Sequence, residues 1–257
     1  MVILWNNKWV GEQEAVIPLQ SEAVMYGLGA FETLRVNANG DIIALKEHIA
    51  RLSQSITAIG MPIKVDNKRL EEMAQRVADK GKNGRQKMRI MVVPEGVMIS
   101  SEPLIIDETI YKGVSLKSVV QNRPLPHVKS LSYLECLLAY REARTLGYFE
   151  ALMVDASGMV YEGSRSNIFW FENDTLCTRS SGVLPGITRQ LVIDYSPYNV
   201  SFSEISVSEL GTRSEVFITS STLGIVPVKR IDETHIPLEM NSRTESLWQL
   251  LQKSVYL

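Results

Sequence analysis

His127-Val128-Lys129-Ser130-Leu131-Ser132-Tyr133 and Tyr161-Glu162-Gly163-Ser164-Arg165-Ser166-Asn167 are the two stretches that decide how this chain is read. The first sets a lone lysine at the end of an extended run, just before a helix with apolar positions at Leu134, Leu137 and Leu138. A lysine among Leu125, Val128 and Leu131 tends toward burial, which lowers its pKa and frees the amine to attack a carbonyl. The second stretch sets a lone carboxylate before small polar residues and another strand. Alone, Lys129 reads more readily as a solvated surface lysine, and Glu162 as a carboxylate in the turn of a hairpin between Val154 and Ile168.

Working outward, the N-terminal part begins as β structure. Val2–Trp5 and Lys8–Val10 flank Asn6-Asn7, a pair that tolerates left-handed turns. Phe31–Val36 reads as a strand, Asn39-Gly40 as a turn and Ile42–Leu45 as the return strand. Leu45, Ile49, Leu52, Ile56 and Ile59 then recur at three and four, the period of an amphipathic helix, which Gly60 and Pro62 terminate. A polar helix follows over 67–80, a loop over 81–84, and strands at 88–93, 104–106 and 114–120. Two prolines in Gln121-Asn122-Arg123-Pro124-Leu125-Pro126 resist both helix and central strand, so 121–127 reads as a linker. Beyond it, strands at 150–155, 167–171, 175–178, 200–204 and 215–219 alternate with helices at 132–147, 187–195 and 242–255. The expectation is an α+β protein: a small domain over 1–120, the linker, and a larger domain over 128–257.

Composition narrows the function. The chain has 257 residues, 45% of them hydrophobic, which suits a chain with a real core. A net charge of −2 with scattered basic residues argues against a nucleic-acid groove or an anionic membrane surface. No stretch nears the roughly 20 apolar residues of a membrane span, and no secretory signal is visible. Cys136 and Cys177 read as buried free thiols, so a cytoplasmic location is expected. His48, His127 and His235 lack metal-ligand spacing, so no metal is expected.

Further polar clusters accompany the two stretches. Gly182-Val183-Leu184-Pro185-Gly186-Ile187-Thr188-Arg189-Gln190 ends a loop and opens a helix, so the Ile187 and Thr188 amides suit an anion, although an ordinary helix cap reads the same. Thr219-Ser220-Ser221-Thr222 ends a strand with four consecutive hydroxyls. Arg51, on the early helix, suits a phosphate bidentately, or else pairs with Glu47 one turn back. A lysine that forms an imine, a carboxylate that keeps a ring nitrogen protonated, and an anion cup are the groups that pyridoxal phosphate (PLP) takes from a protein.

The order of these segments resembles the class IV (fold-type IV) PLP enzymes: the branched-chain aminotransferases, the D-amino-acid aminotransferases and the 4-amino-4-deoxychorismate lyases. The matching segments are Tyr-Gly-Leu-Gly-Ala-Phe-Glu-Thr-Leu-Arg (26–35), His-Ile-Ala-Arg-Leu (48–52), Val-Lys-Ser-Leu-Ser-Tyr (128–133), Glu-Gly-Ser-Arg-Ser-Asn-Ile-Phe (162–169), Leu-Pro-Gly-Ile-Thr-Arg (184–189) and Phe-Ile-Thr-Ser-Ser-Thr-Leu-Gly-Ile-Val-Pro-Val (217–228). The resemblance implies a two-domain fold, a small α/β domain plus a larger β-barrel-like domain with outer helices, working as a homodimer. It implies that Lys129 is the Schiff-base lysine, which yields to the substrate amine in an external aldimine and then shuttles the α-proton. It implies that Glu162 partners the pyridine nitrogen. Arg51, Ile187, Thr188 and Ser221, with Thr222 adjoining, correspond to the phosphate cup, and Tyr133 to the tyrosine on the ring hydroxyl. Tyr26 and Phe31 fall where the family lines its substrate pocket.

Within the class, Phe-Glu-Thr-Leu-Arg at 31–35 and Thr-Leu-Gly-Ile-Val-Pro-Val at 222–228 are most similar to the lyases, which release p-aminobenzoate for folate synthesis. An aminotransferase of branched-chain or D-amino acids is the alternative. D-amino-acid enzymes carry an arginine after the strand at 88–93, where this chain has Pro94-Glu95-Gly96. Arg35, Arg89, Arg123 and Arg165 are the candidate ligands for a substrate carboxylate.

Overall fold

The computed structural model describes residues 1–81, 84–238 and 242–256. It divides into two compact units, Met1–Ile105 with His127–Tyr133, and Ile106–Pro126 with Leu134–Leu257.

The first unit is a five-stranded antiparallel sheet, order β2-β1-β5-β4-β3, with helices on one face. Its elements are β1 (Val2–Trp5), β2 (Lys8–Val10), α1 (Glu22–Met25), β3 (Ala30–Val36), α2 (Leu45–Ala58), α3 (Asn67–Lys80), β4 (Gln86–Val93) and β5 (Gly96–Pro103). Asn6 and Asn7 take the positive φ values, 46° and 66°, that their turn needs. Strand alternation sends Leu34, Met88, Ile90 and Ile99 to one face. There they meet Ile49 and Leu52 of α2 and Leu70 and Val77 of α3. Each such side chain contributes about 1.5–3 kcal/mol by leaving water. The same stripe of α2 also buries His48 and Arg51, which an apolar core does not ask for.

Two local expectations need correction. Residues 42–45 form no strand. Ile42 makes a single bridge to Val36, and Ala44 turns left-handed (φ 51°) to launch α2 directly. The strand expected at 104–106 lies earlier, as β5, and ends at Pro103. A two-residue turn at Pro94-Glu95 pairs it with β4 at once, with Gly96 at φ 147°. Of the loop expected at 81–84, residues 82 and 83 lie outside the described residues.

The second unit holds β6 (Val114–Val120), α4 (Leu134–Thr145), β7 (Glu150–Val154), β8 (Val160–Gly163), β9 (Asn167–Glu172), β10 (Thr175–Thr178), α5 (Ile187–Tyr195), β11 (Asn199–Phe202), α6 (Val207–Leu210), β12 (Val216–Ser220), β13 (Gly224–Ile231), β14 (Thr234–His235) and α7 (Arg243–Leu251). The sheet runs β11-β10-β9-β12-β13-β6-β7-β8, with β14 on β13. A three-residue turn at 164–166 joins β8, at one end, to β9, near the other, so the sheet curls back on itself. Parallel pairing of β6 with β7 requires a crossover, which α4 supplies. Strands β8, β13 and β14 are additions to the sequence reading. Cys136 and Cys177 are buried free thiols. Among the described residues no helix is long and apolar enough to cross a membrane.

The division differs from the boundary read at 121–127. Residues 106–126 fall in the second unit because β6 pairs with β7 and β13. Residues 127–133 fall in the first because they line the edge of β3. Ser130 bridges Ala30, the Phe31 amide donates to the Lys129 carbonyl at 2.9 Å, and the Leu131 amide to the Gly29 carbonyl at 2.9 Å.

Candidate active site

In the first unit, Lys129 stands on that edge segment, half-buried. Its amide donates to Ser55 Oγ on α2 at 3.3 Å. Its Nζ lies 4.8 Å from the centroid of the Phe31 ring. Phe31 is itself 5.7 Å from the Tyr133 ring, edge to face, and the Arg89 guanidinium is 5.3 Å from its centroid. Lysine, both aromatic residues and Arg89 thus share one neighbourhood. A Cβ on Gly29 would come within 2.9 Å of the Val92 carbonyl oxygen and 2.5 Å of the Leu131 side chain, so glycine lets the chain entering β3 lie close to both β4 and the edge segment. Tyr26, by contrast, is 73% exposed within this chain.

Arg51 does not pair with Glu47. Its Nε and Nη2 fork onto Glu32 at 2.8 and 2.6 Å, and His48 Nδ1 lies 2.7 Å from Glu32 Oε2. Burial alone would raise the Glu32 pKa, but the Arg51 charge, then His48, outweigh it and hold the carboxyl at about 2. Burial pushes His48 down against the pull of Glu32, and the charges of Arg51 and Lys129 add to the fall. Neither Glu32 nor His48 stands among the sequence candidates, although both lie in segments that carry the family resemblance.

In the second unit, Glu162 is 2% exposed and lies within β8, not in a turn. Its Oε2 accepts from Asn167 Nδ2 at 3.1 Å and from the Leu184 amide at 3.0 Å. Its Oε1 is 3.3 Å from Arg123 Nε. One carboxylate oxygen is thus fastened by two hydrogen bonds, and the other lies at ion-pair distance from the Arg123 guanidinium. Arg123, a sequence candidate for a substrate carboxylate, lies against Glu162 within this unit. Asn167, missed at the sequence level as a site residue, is the hub. Its Nδ2 also donates to the Leu184 carbonyl at 2.8 Å, and its backbone is in register with Thr219 at the end of β12.

The groups expected to hold an anion lie around the same residue. Gly186 caps α5 without any side-chain hydrogen bond, leaving the Ile187 and Thr188 end of the helix to its backbone donors. α5 packs on β12, whose last residue precedes the turn carrying Ser221 and Thr222. Thr219 Oγ1 is buried without a hydrogen-bond partner among the described residues. Arg189, buried on the first turn of α5, has its pKa lowered by burial against the opposing charge of Glu162. Glu150 organises the turn after Glu162. Its Oε1 accepts from the Arg165 amide at 2.5 Å and Ser166 Oγ at 3.1 Å, and burial pushes its pKa up. Arg165 stacks on the Tyr140 ring at 3.7 Å.

A Cβ on Gly186 would overlap Asn167 Oδ1. Gly186→Ala must therefore swing the Asn167 amide and break its bonds to Glu162 and Leu184. Hydrogen bonds to charged groups contribute about 1.5–3 kcal/mol. The expected result is cofactor affinity reduced about tenfold or more, measured by titrating the variant with PLP; unchanged affinity would remove Asn167 from the site.

These donors fit PLP. One unit offers a lysine amine beside aromatic rings. The other offers a buried carboxylate at ion-pair distance from a guanidinium, a helix N-terminus without a side-chain cap and a buried hydroxyl with capacity to spare.

Residues 29–231 match the family model described as Amino-transferase class IV. A protein of Methanocaldococcus jannaschii, provisionally named a branched-chain-amino-acid aminotransferase, is 32% identical over 90% of this chain and 88% of its own length. D-alanine aminotransferase of Bacillus licheniformis is 28% identical over 95% of each chain. Aminodeoxychorismate lyase of Bacillus subtilis is 26% identical over 99% of this chain and 94% of its own. Among solved structures, a T.th. branched-chain amino acid aminotransferase with pyridoxamine 5'-phosphate superimposes with a TM-score of 0.88 at 27% identity, covering 98% of this chain and 93% of that one.

Proposed function

The chain belongs to the class IV aminotransferase family, and from that premise we propose that Lys129 bonds the cofactor aldehyde and carries the substrate's α-proton, while Glu162 holds the ring nitrogen. The protein is an enzyme of that family, and PLP is its cofactor. When bound, PLP supplies a ring that withdraws the charge left on the α-carbon.

The observation that carries the reading is the fastening of Glu162. Two neutral donors hold Oε2, and Oε1 lies among positive charge, 3.3 Å from Arg123 Nε, which suits a cationic ring nitrogen. A buried carboxylate held this way keeps a ring nitrogen protonated at neutral pH. Lys129, anchored through its backbone to Ser55 and Phe31, presents its amine from a braced segment. Ile187, Thr188, Ser221, Thr222 and Arg51 are proposed to hold the phosphate, Tyr133 the ring hydroxyl. Phe31, Tyr26 and Arg35 are proposed to face the substrate. A homodimer in the cytoplasm is part of the same proposal.

The first reading of the reaction is aminodeoxychorismate lyase, a step that yields p-aminobenzoate for folate synthesis. It is supported by the 31–35 and 222–228 segments and by Glu95 in the turn where D-amino-acid enzymes carry an arginine. The second is transfer of the amino group from a branched-chain or D-amino acid, favoured by the higher identity to aminotransferases. Purified holoenzyme is given aminodeoxychorismate, and separately a panel of L- and D-amino acids with a keto-acid acceptor. The lyase reading expects p-aminobenzoate release to exceed every transamination rate. Keto-acid formation without p-aminobenzoate replaces it with the second reading.

A further inference from the structure

We propose that Glu32 and His48 are positioning residues for Arg51, holding its guanidinium side-on so that its terminal edge meets the cofactor phosphate. The proposal rests on the reading of Arg51 as a phosphate ligand and goes beyond it to the groups that aim the arginine.

The three side chains come from two elements of the first unit. β3 supplies Glu32, and one stripe of α2 supplies His48 and Arg51. Their exposures are 0%, 2% and 6%, within a face otherwise made of residues such as Leu34, Ile49 and Leu52. Taking charges into such a place is costly, and an apolar trio of similar volume often stabilises a core as well or better. Stability is therefore a poor reason for an ion pair at this position, and orientation is a better one. Glu32 grips Arg51 through Nε and Nη2, the side edge of the fork. A guanidinium is planar, so fixing one edge fixes the direction of the others. His48 takes hold of the same Glu32 oxygen that receives Nη2, which stops the carboxylate from rotating about its own bond. The stripe continues one turn on to Ser55, the acceptor for the Lys129 amide. The aimed arginine and the lysine backbone are thus referred to a single rigid helix.

The test separates aim from folding by using the phosphate itself. Full-length protein freed of cofactor is titrated with PLP and with pyridoxal, the same aldehyde without its phosphate. The readout is the ratio of the two dissociation constants. Arg51→Gln and Glu32→Gln are each expected to shrink the preference for PLP by about tenfold or more. The double variant is expected to lose no more than Arg51→Gln alone, because both act through one contact. Losses that add, or a Glu32→Gln variant that binds both aldehydes more weakly but keeps the wild-type ratio, overturn the positioning role. A wild-type ratio in Arg51→Gln overturns the phosphate reading beneath it, a result distinct from the other two. If Glu32→Gln does not fold, Glu32→Asp decides by the same ratio. It keeps the charge but is one methylene too short to span both guanidinium nitrogens.

Discussion

Lys129→Ala is expected to abolish turnover, with a loss of at least about three orders of magnitude. One residue is asked both to form the covalent bond to the cofactor and to move the α-proton. Proton transfer by a positioned group alone contributes about 10²–10⁴-fold, and the covalent step adds to it. The replacement removes only the side chain beyond Cβ. The backbone bonds that hold the segment, from its amide to Ser55 and from Phe31 to its carbonyl, are untouched. The fold is therefore expected to survive, and circular dichroism together with cofactor binding checks this. In the wild type, borohydride is expected to trap a pyridoxyl group on the peptide containing residue 129; in the variant, on no peptide. A variant with activity within tenfold of wild type, or an adduct on a different lysine, ends the assignment.

Glu162→Gln is the second large effect and should separate turnover from binding. The glutamine oxygen can take the place of Oε2 and accept from Asn167 and the Leu184 amide. Its amide nitrogen then stands where Oε1 stood, 3.3 Å from Arg123 Nε. A donor thus faces donors, and a ring nitrogen meeting it is no longer held protonated. Removal of one preorganised electrostatic contact at a reacting centre costs about 10²–10³ in kcat, so a fall of about that size is expected. Cofactor affinity, on the proposed assignment of the lysine and the phosphate cup, should change by less than about tenfold. Parallel measurement of kcat and of the PLP dissociation constant tests this split. An unchanged kcat would show that another group partners the nitrogen.

Much of this is legible before any coordinates. The apolar period at Leu45, Ile49, Leu52 and Ile56 places α2 within a residue or two, and the strands at 31–36, 114–120 and 167–171 follow from β-branched and aromatic runs. The lysine, the glutamate and the helix opening at Ile187 each have an ordinary reading alone, and stand out only through the order of segments that resembles the family. What stays hidden depends on pairing across the chain. Arg51 has Glu47 at helix spacing, yet its partner is Glu32 on a strand, which no local rule selects. Asn167 looks like the first residue of an ordinary strand, because its role lies in what its amide touches at Leu184 and Glu162. Residues 127–133 read as the end of a linker and the opening of a second domain, because edge pairing to Ala30 leaves no mark on composition. The same blindness puts a strand at 104–106: Pro94-Glu95-Gly96 is the tight connection that folds β5 back on β4, a turn that the sequence reading does not contain.

That edge pairing has a topological consequence. The polypeptide enters the first unit, leaves it at 105, returns for seven residues at 127–133 and leaves again. A fragment ending at 105 would possess the arginine but not the amine. A protease nick anywhere in 106–126 would leave the N-terminal piece holding the other piece by a threaded segment, with no peptide bond across the cut. Neither half of this enzyme can be excised as one uninterrupted stretch of gene, so any division of labour between the halves is written into a single thread.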